Sequence, residues 1–154
     1  MYQVTVKASL NGSKVKPYTF IVEVDDIISA ISKVSQLAEK YGEDVFKIYD
    51  IESAKKVIYQ HILVGDFDST KWYYRVVNSS ITPEGKAVTE TLLVYCEDNS
   101  SVDIAKEYLK DNSYYDGEAI AISQVTQLSV TEFIKANALD IEYIKQYETS
   151  EEND

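Results

Sequence analysis

The chain has 154 residues, of which 45% are hydrophobic and 27% charged, and its net charge is −11. That length buries one core or two small lobes, the apolar share excludes disorder throughout, and no run approaches the roughly eighteen apolar residues of a membrane span. The charge disfavours a protein that coats phosphate backbones, and it is uneven: 8 basic against 10 acidic residues over 1–70, then 7 against 16 over 71–154.

The opening "MYQVTVKASL" alternates like a strand and lacks the basic-then-apolar layout of an export signal. Tyr2, Val4, Val6 and Ala8 share one face; Gln3, Thr5, Lys7 and Ser9 share the other. "NGSK" at 11–14 is a turn, because Asn and Gly take positive φ cheaply. "YTFIVEV" is the returning strand, with Pro17 at its start. "DDIISAISKVSQLAEKYG" predicts a helix capped by Asp25 or Asp26 and ended by Gly42. Ile27, Ala30, Ile31, Val34 and Leu37 or Ala38 form its buried stripe. "DVFKIYDI" is a third strand, "SAKKVIYQHILV" fits helix or strand, and "GDFDSTK" is a joint.

The same order then returns. Residues 72–82 predict a strand with Trp72, Tyr74 and Val76 on one face and Tyr73, Arg75 and Val77 on the other. "PEGK" turns, "VTETLLVYC" comes back, and "EDNSSVDIAKEYLKDN" is a helix capped by Asn99, Ser100 or Ser101. Val102, Ala105, Tyr108 and Leu109 are expected to face the sheet. "AIAISQV" is the sixth strand. "SVTEFIKANAL" carries a capping-box pattern, Ser129 with Glu132, and predicts a short helix. In the acidic tail, "IEYIKQY" is expected to form a short docking helix and "ETSEEND" to be mobile.

A shift of 72 places Tyr2 on Tyr74, Val4 on Val76, Ile21 on Leu93, Val24 on Cys96 and Asp26 on Asp98. A shift of 74 places Ile48 on Ile122 and Ile51 on Val125, as though two residues had entered near the second helix. The expected fold is therefore α+β: duplicated ββαβ units forming antiparallel sheet, with helices packed on it. The units are 1–65 and 71–139, expected to form one cooperative domain because about 60 residues alone make a marginal fold, followed by the tail at 140–154.

The stretch "KWYYRVVNSSITPEGKAVTETLLVYCEDNSSVDIAKEYL", with "GEAIAISQVTQLSVTEF" beyond it, resembles an uncharacterised family of short proteins from Bacteroidetes and their phages. Those proteins open with an aromatic strand like "WYYRV", turn, return with a strand of the "TETLLVYCED" type, enter a helix rich in Ala and Glu and close on a strand of the "IAISQV" type. The resemblance covers residues 71–134 and brings no catalytic signature. It implies a cytoplasmic setting in a bacterial or phage-infected cell.

Residues that could carry chemistry read as structural. Cys96 is the single cysteine and sits in an apolar run, as a small buried hydrophobe. His61, the single histidine, reads as a satisfied core or interface residue. Asp66 and Asp68 in "GDFDS" lack the ligand spacing of a calcium loop and read as a polar turn. The pairs Asp25–Asp26 and Glu97–Asp98 stand at helix starts, where carboxylates take unpaired amides. There is no nucleophile elbow and no Gly-rich phosphate loop. No catalytic, metal or cofactor-binding residue is assigned, and no enzyme is expected.

Thirteen tyrosines against four phenylalanines favour partly wet faces. Trp72, Tyr73, Arg75, Tyr114 and Tyr115 form the expected interaction surface. The leading reading is a non-enzymatic binding or accessory protein with a protein partner or as a homodimer. One alternative binds single-stranded nucleic acid through Trp72, Tyr73, Tyr74 and Arg75, with Lys7, Lys14 and Lys16 on the backbone, against the net charge. The other is an acidic nucleic-acid mimic that blocks a basic partner.

Overall fold

The computed structural model describes residues 1–66, 68–113 and 120–134. The expected tail at 140–154, with its docking helix and mobile end, lies outside them, as do Tyr114 and Tyr115. The fold is α+β, with two compact units: Met1–Val57 joined by the segment from Val130, and Ile58–Ser129.

The first unit opens with β1 (Tyr2–Leu10) and β2 (Lys16–Val22), an antiparallel hairpin. Its turn uses Asn11 at φ 53° and Gly12 at φ 71°, the successive positive values that an Asn-Gly pair supplies at little strain. Helix α1 (Ile27–Tyr41) follows. Asp26 caps it by accepting the Ser29 amide and the Ser29 hydroxyl, each at 2.8 Å. Those bonds, the amide first, hold the Asp26 carboxyl below its ordinary value. Gly42 ends the helix, donating its amide to Ala38. Ala30, Val34 and Leu37 are buried against Val4, Val6, Phe20 and Val22. Ile27 is exposed, so the apolar stripe starts one turn later than expected. Strand β3 (Phe46–Lys56) pairs antiparallel with β1 along its whole length, and Phe46 meets Phe20 edge-on at 6.2 Å.

The second unit also holds a hairpin, a helix and a further strand. A short strand β4 (His61–Leu63) comes first, then the hairpin of β5 (Lys71–Ile81) and β6 (Ala87–Glu97). Its turn is closed by the Gly85 amide on the Thr82 carbonyl, and Gly85 takes φ 83°. Helix α2 (Ser101–Asn112) begins after Ser100, whose side chain makes no capping bond. Ser101, Ala105 and Leu109 are its buried positions, and Tyr74, Val76, Leu92, Val94 and Cys96 form the sheet side of the core. Strand β7 (Ile122–Leu128) pairs antiparallel with β5. Strand β8 (Glu132–Ile134) then pairs with β2 of the first unit.

The strand orders are β3-β1-β2-β8 and β4-β6-β5-β7. Four sequence expectations change. The sheets are mixed, not antiparallel, because β4 and β8 join as parallel edge strands. Residues 53–56, helix or strand by sequence, extend β3, because β1 offers backbone partners as far as Tyr2 opposite Lys56. The helix expected from Ser129 is instead β8 at Glu132–Ile134, where pairing with the open edge of β2 overrides a local capping pattern. The third strands correspond by a shift of 71, not 74: Ala54 stands opposite Val4 as Val125 stands opposite Val76.

Candidate functional site

Of the expected aromatic surface, Trp72, Tyr73 and Arg75 lie among the described residues. Trp72 is exposed, at 51%, but Tyr73 is buried at 2% rather than standing free beside Arg75. The reason is cross-strand pairing: Tyr73 lies directly opposite Tyr95, and their rings stack at 4.4 Å between centroids. Tyr95 turns its hydroxyl outward to the joint, donating to the Asp68 carbonyl at 2.9 Å and accepting the Asp68 amide at 3.0 Å. Tyr74 is buried on the helix side and donates to Asp98. Burial first, then the Asp98 carboxylate, pushes the Tyr74 hydroxyl up to about 12. Arg75 is half-buried and donates to Gln124 at 3.2 Å. These tyrosines therefore serve sheet packing, Tyr74 and Tyr95 with satisfied hydroxyls.

Among the described residues, β7 and β4 are the two edge strands of this sheet, and β7 is the longer. It is the terminal strand of its sheet, and the five residues Ser123–Gln127 within it are exposed. Its sequence, "ISQVTQL", contains no charge, proline or glycine. The corresponding edge, β3, carries Lys47, Asp50, Glu52, Lys55 and Lys56. Charge is the usual device that keeps an open edge from pairing, and β7 lacks it. Ser123 is held by Ser79 at 2.8 Å, and Gln124 by Arg75, so the strand is fixed from its inner side. Val125 stands 42% exposed at its middle.

A buried polar cluster in the same unit was only half visible in the sequence. His61 and Glu90 are 4% and 1% exposed, and His61 Nε2 lies 2.6 Å from Glu90 Oε2. Ser113, at the end of α2, donates to the other oxygen of Glu90. The His61 ring also meets Tyr108 edge-on at 5.2 Å. His61 is the satisfied core histidine expected. Glu90 was missed; it shares strand parity with the buried Leu92, Val94 and Cys96, but Thr91, Leu93 and Tyr95 of the opposite parity are buried too. The carboxylate stands between serine and histidine. Nucleophile activation needs the histidine in the middle, so the order is wrong for a hydrolytic triad.

The other candidates are local. Burial pushes the Cys96 thiol up, which disfavours the reactive thiolate. Asp68 accepts the Thr70 amide and hydroxyl, and these hold its carboxyl down, as a polar turn requires. An open groove of about 440 Å³ lies by the start of α1, lined by Glu23, Asp25, Asp26 and Lys33 among others. Asp26 there is already engaged by Ser29. Among the described residues no group of three or more His, Cys, Asp or Glu could hold a metal ion, and no helix is long and apolar enough to cross a membrane.

Comparison with known proteins returns no matching family, no matching curated protein and no matching solved structure.

Proposed function

We propose that this chain is a non-enzymatic binding protein that meets a protein partner at the β7 edge, with Trp72 as a neighbouring apolar anchor. The observation that supports this is the neutral, exposed edge at Ile122–Leu128, set against the heavily charged edge of β3. An extended segment added there gains main-chain hydrogen bonds, and alternate side chains select it. Val125 and Gln127 would read one face of the incoming strand, Gln124 and Thr126 the other. The resemblance over residues 71–134 supplies the expected setting, a bacterial or phage-infected cytoplasm. A second copy of the chain is the alternative occupant.

The nucleic-acid alternatives have less behind them. Tyr73 and Tyr74 are buried and present no ring face to a base. Lys7 is paired with Glu52 at 3.4 Å, and Lys16 lies over the Tyr18 ring. The mimic reading rests on net charge alone.

The test is affinity capture with the wild type and with Val125→Lys/Gln127→Lys, whose side chains are exposed. The variant should keep its circular dichroism and lose a specific captured protein at least about tenfold, since a charged edge resists pairing. Equal capture by both chains contradicts the reading. Light scattering of each chain alone separates a second copy from a foreign partner.

A further inference from the structure

The two sheets agree in register residue by residue. A shift of 72 carries Tyr2↔Val22 onto Tyr74↔Val94, and Val4↔Phe20 onto Val76↔Leu92. A shift of 71 carries Ala54 onto Val125, opposite those same positions in β1 and β5. The irregularity between Thr5 and Val6 falls on the one between Val77 and Asn78. The short strands obey the same rule. His61, Ile62 and Leu63 stand beside Leu92, Leu93 and Val94; Glu132, Phe133 and Ile134 stand beside Phe20, Ile21 and Val22. Only the ownership is crossed: β4 follows β3 in the chain but completes the sheet of β5 and β6, and β8 follows β7 but completes the sheet of β1 and β2.

We propose that the chain consists of two ββαββ repeats, residues 2–63 and 71–134, that exchange their closing strands, so that each repeat is the strand ligand of the other. The joints explain why. Strand β3 is antiparallel to β1, as β2 is, so a closing strand parallel to β2 runs in the same direction as β3. To close its own sheet the chain must reverse and pass two strands, a sideways distance of about 14 Å at strand spacing. Only residues 129–131 separate β7 from β8, and they reach about 14 Å when fully extended, with nothing left for the reversal. Residues 57–60 between β3 and β4 are scarcely longer. A closing strand on so short a joint completes a different sheet from the one it leaves.

Each exchanged strand is held beyond its three ladder positions. Gln60 donates its amide to the Thr91 carbonyl at 2.9 Å and accepts the Thr91 amide on its side chain at 2.7 Å. His61 adds the buried contact with Glu90. At the other site the Thr131 amide donates to the Thr19 carbonyl at 2.6 Å, and the Glu23 amide to the Ile134 carbonyl at 2.9 Å. All of these join one repeat to the other.

The test is to place a protease site in the joint at 65–70 of the full chain, cut it after folding, and follow amide exchange by NMR. The halves should elute together, and the amides of Gln60, Glu23 and Thr131 should stay protected by about 100-fold or more, the protection expected of bonded backbone in a persistent sheet. Separation or unfolding of the halves on cutting overturns the proposal, as does free exchange at those three amides. In the uncut chain, Phe133→Pro removes one exchanged strand without a cut. Protection should then fall at Glu23 and Thr131, beside the first sheet, while the β5–β6 amides hold. Loss confined to the second sheet, or no loss at Glu23, contradicts the exchange.

Discussion

His61 Nε2 lies 2.6 Å from Glu90 Oε2 with both side chains almost wholly buried, and this pair binds β4 to β6. Removing one member takes from the other a buried polar contact that water cannot replace. His61→Ala and Glu90→Ala should each destabilise by about 3 kcal/mol in urea unfolding, the range for breaking a buried pair. The double variant His61→Leu/Glu90→Leu, which leaves neither group unpaired, should return to within about 1 kcal/mol of the wild type. A loss in the double variant equal to the sum of the two single losses would show that the pair is not coupled.

Asp26 gives a pH dependence with a definite sign. Its carboxyl, lowered below the ordinary 3.8 by Ser29, binds fewer protons folded than unfolded. The cap therefore stabilises at every pH above the ordinary value and is lost as the pH falls below it through the folded value. Asp26→Ala should melt a few degrees lower at neutral pH, and the two melting curves should converge below about pH 3.8. A gap that persists into acid would assign the effect to something other than the ionised cap.

Gly42 takes φ 84° and ψ 154°, a region that residues with a Cβ rarely enter, and nothing lies within 4 Å of a Cβ placed there. Gly42→Ala therefore meets no clash and still strains the backbone. It should cost about 1–3 kcal/mol by chemical denaturation. A neutral result would show that the helix end shifts to accommodate alanine.

Cys96 is 3% exposed and its thiol is pushed up by burial. A thiol reagent at neutral pH should label the native chain about 100-fold more slowly than the chain in denaturant. Rapid native labelling would mean that β6 opens readily.

The local elements were legible because their signals are local. The Asn11–Gly12 turn, the Asp26 cap, the Gly42 stop and the alternation of both hairpins all follow from residues close in sequence. The closing strands were not legible, because three residues carry too little pattern and their partners lie 31 or more positions away, as Leu92 does from His61. The fate of Tyr73 illustrates the same limit. Alternation placed it opposite Tyr74 correctly, but which face of the sheet was covered depended on Tyr95 and the rest of the fold. Glu90 was not readable by parity, because residues on both faces of β6 are buried.

The claim that β7 is the binding edge is tested most directly by amide chemical shifts of the labelled full chain titrated with its captured partner. The account predicts shifts concentrated on Ile122–Leu128 and the Trp72 indole, with new exchange protection along β7. Shifts concentrated on β3 at Phe46–Lys56 or on α1, with β7 unmoved, would contradict it.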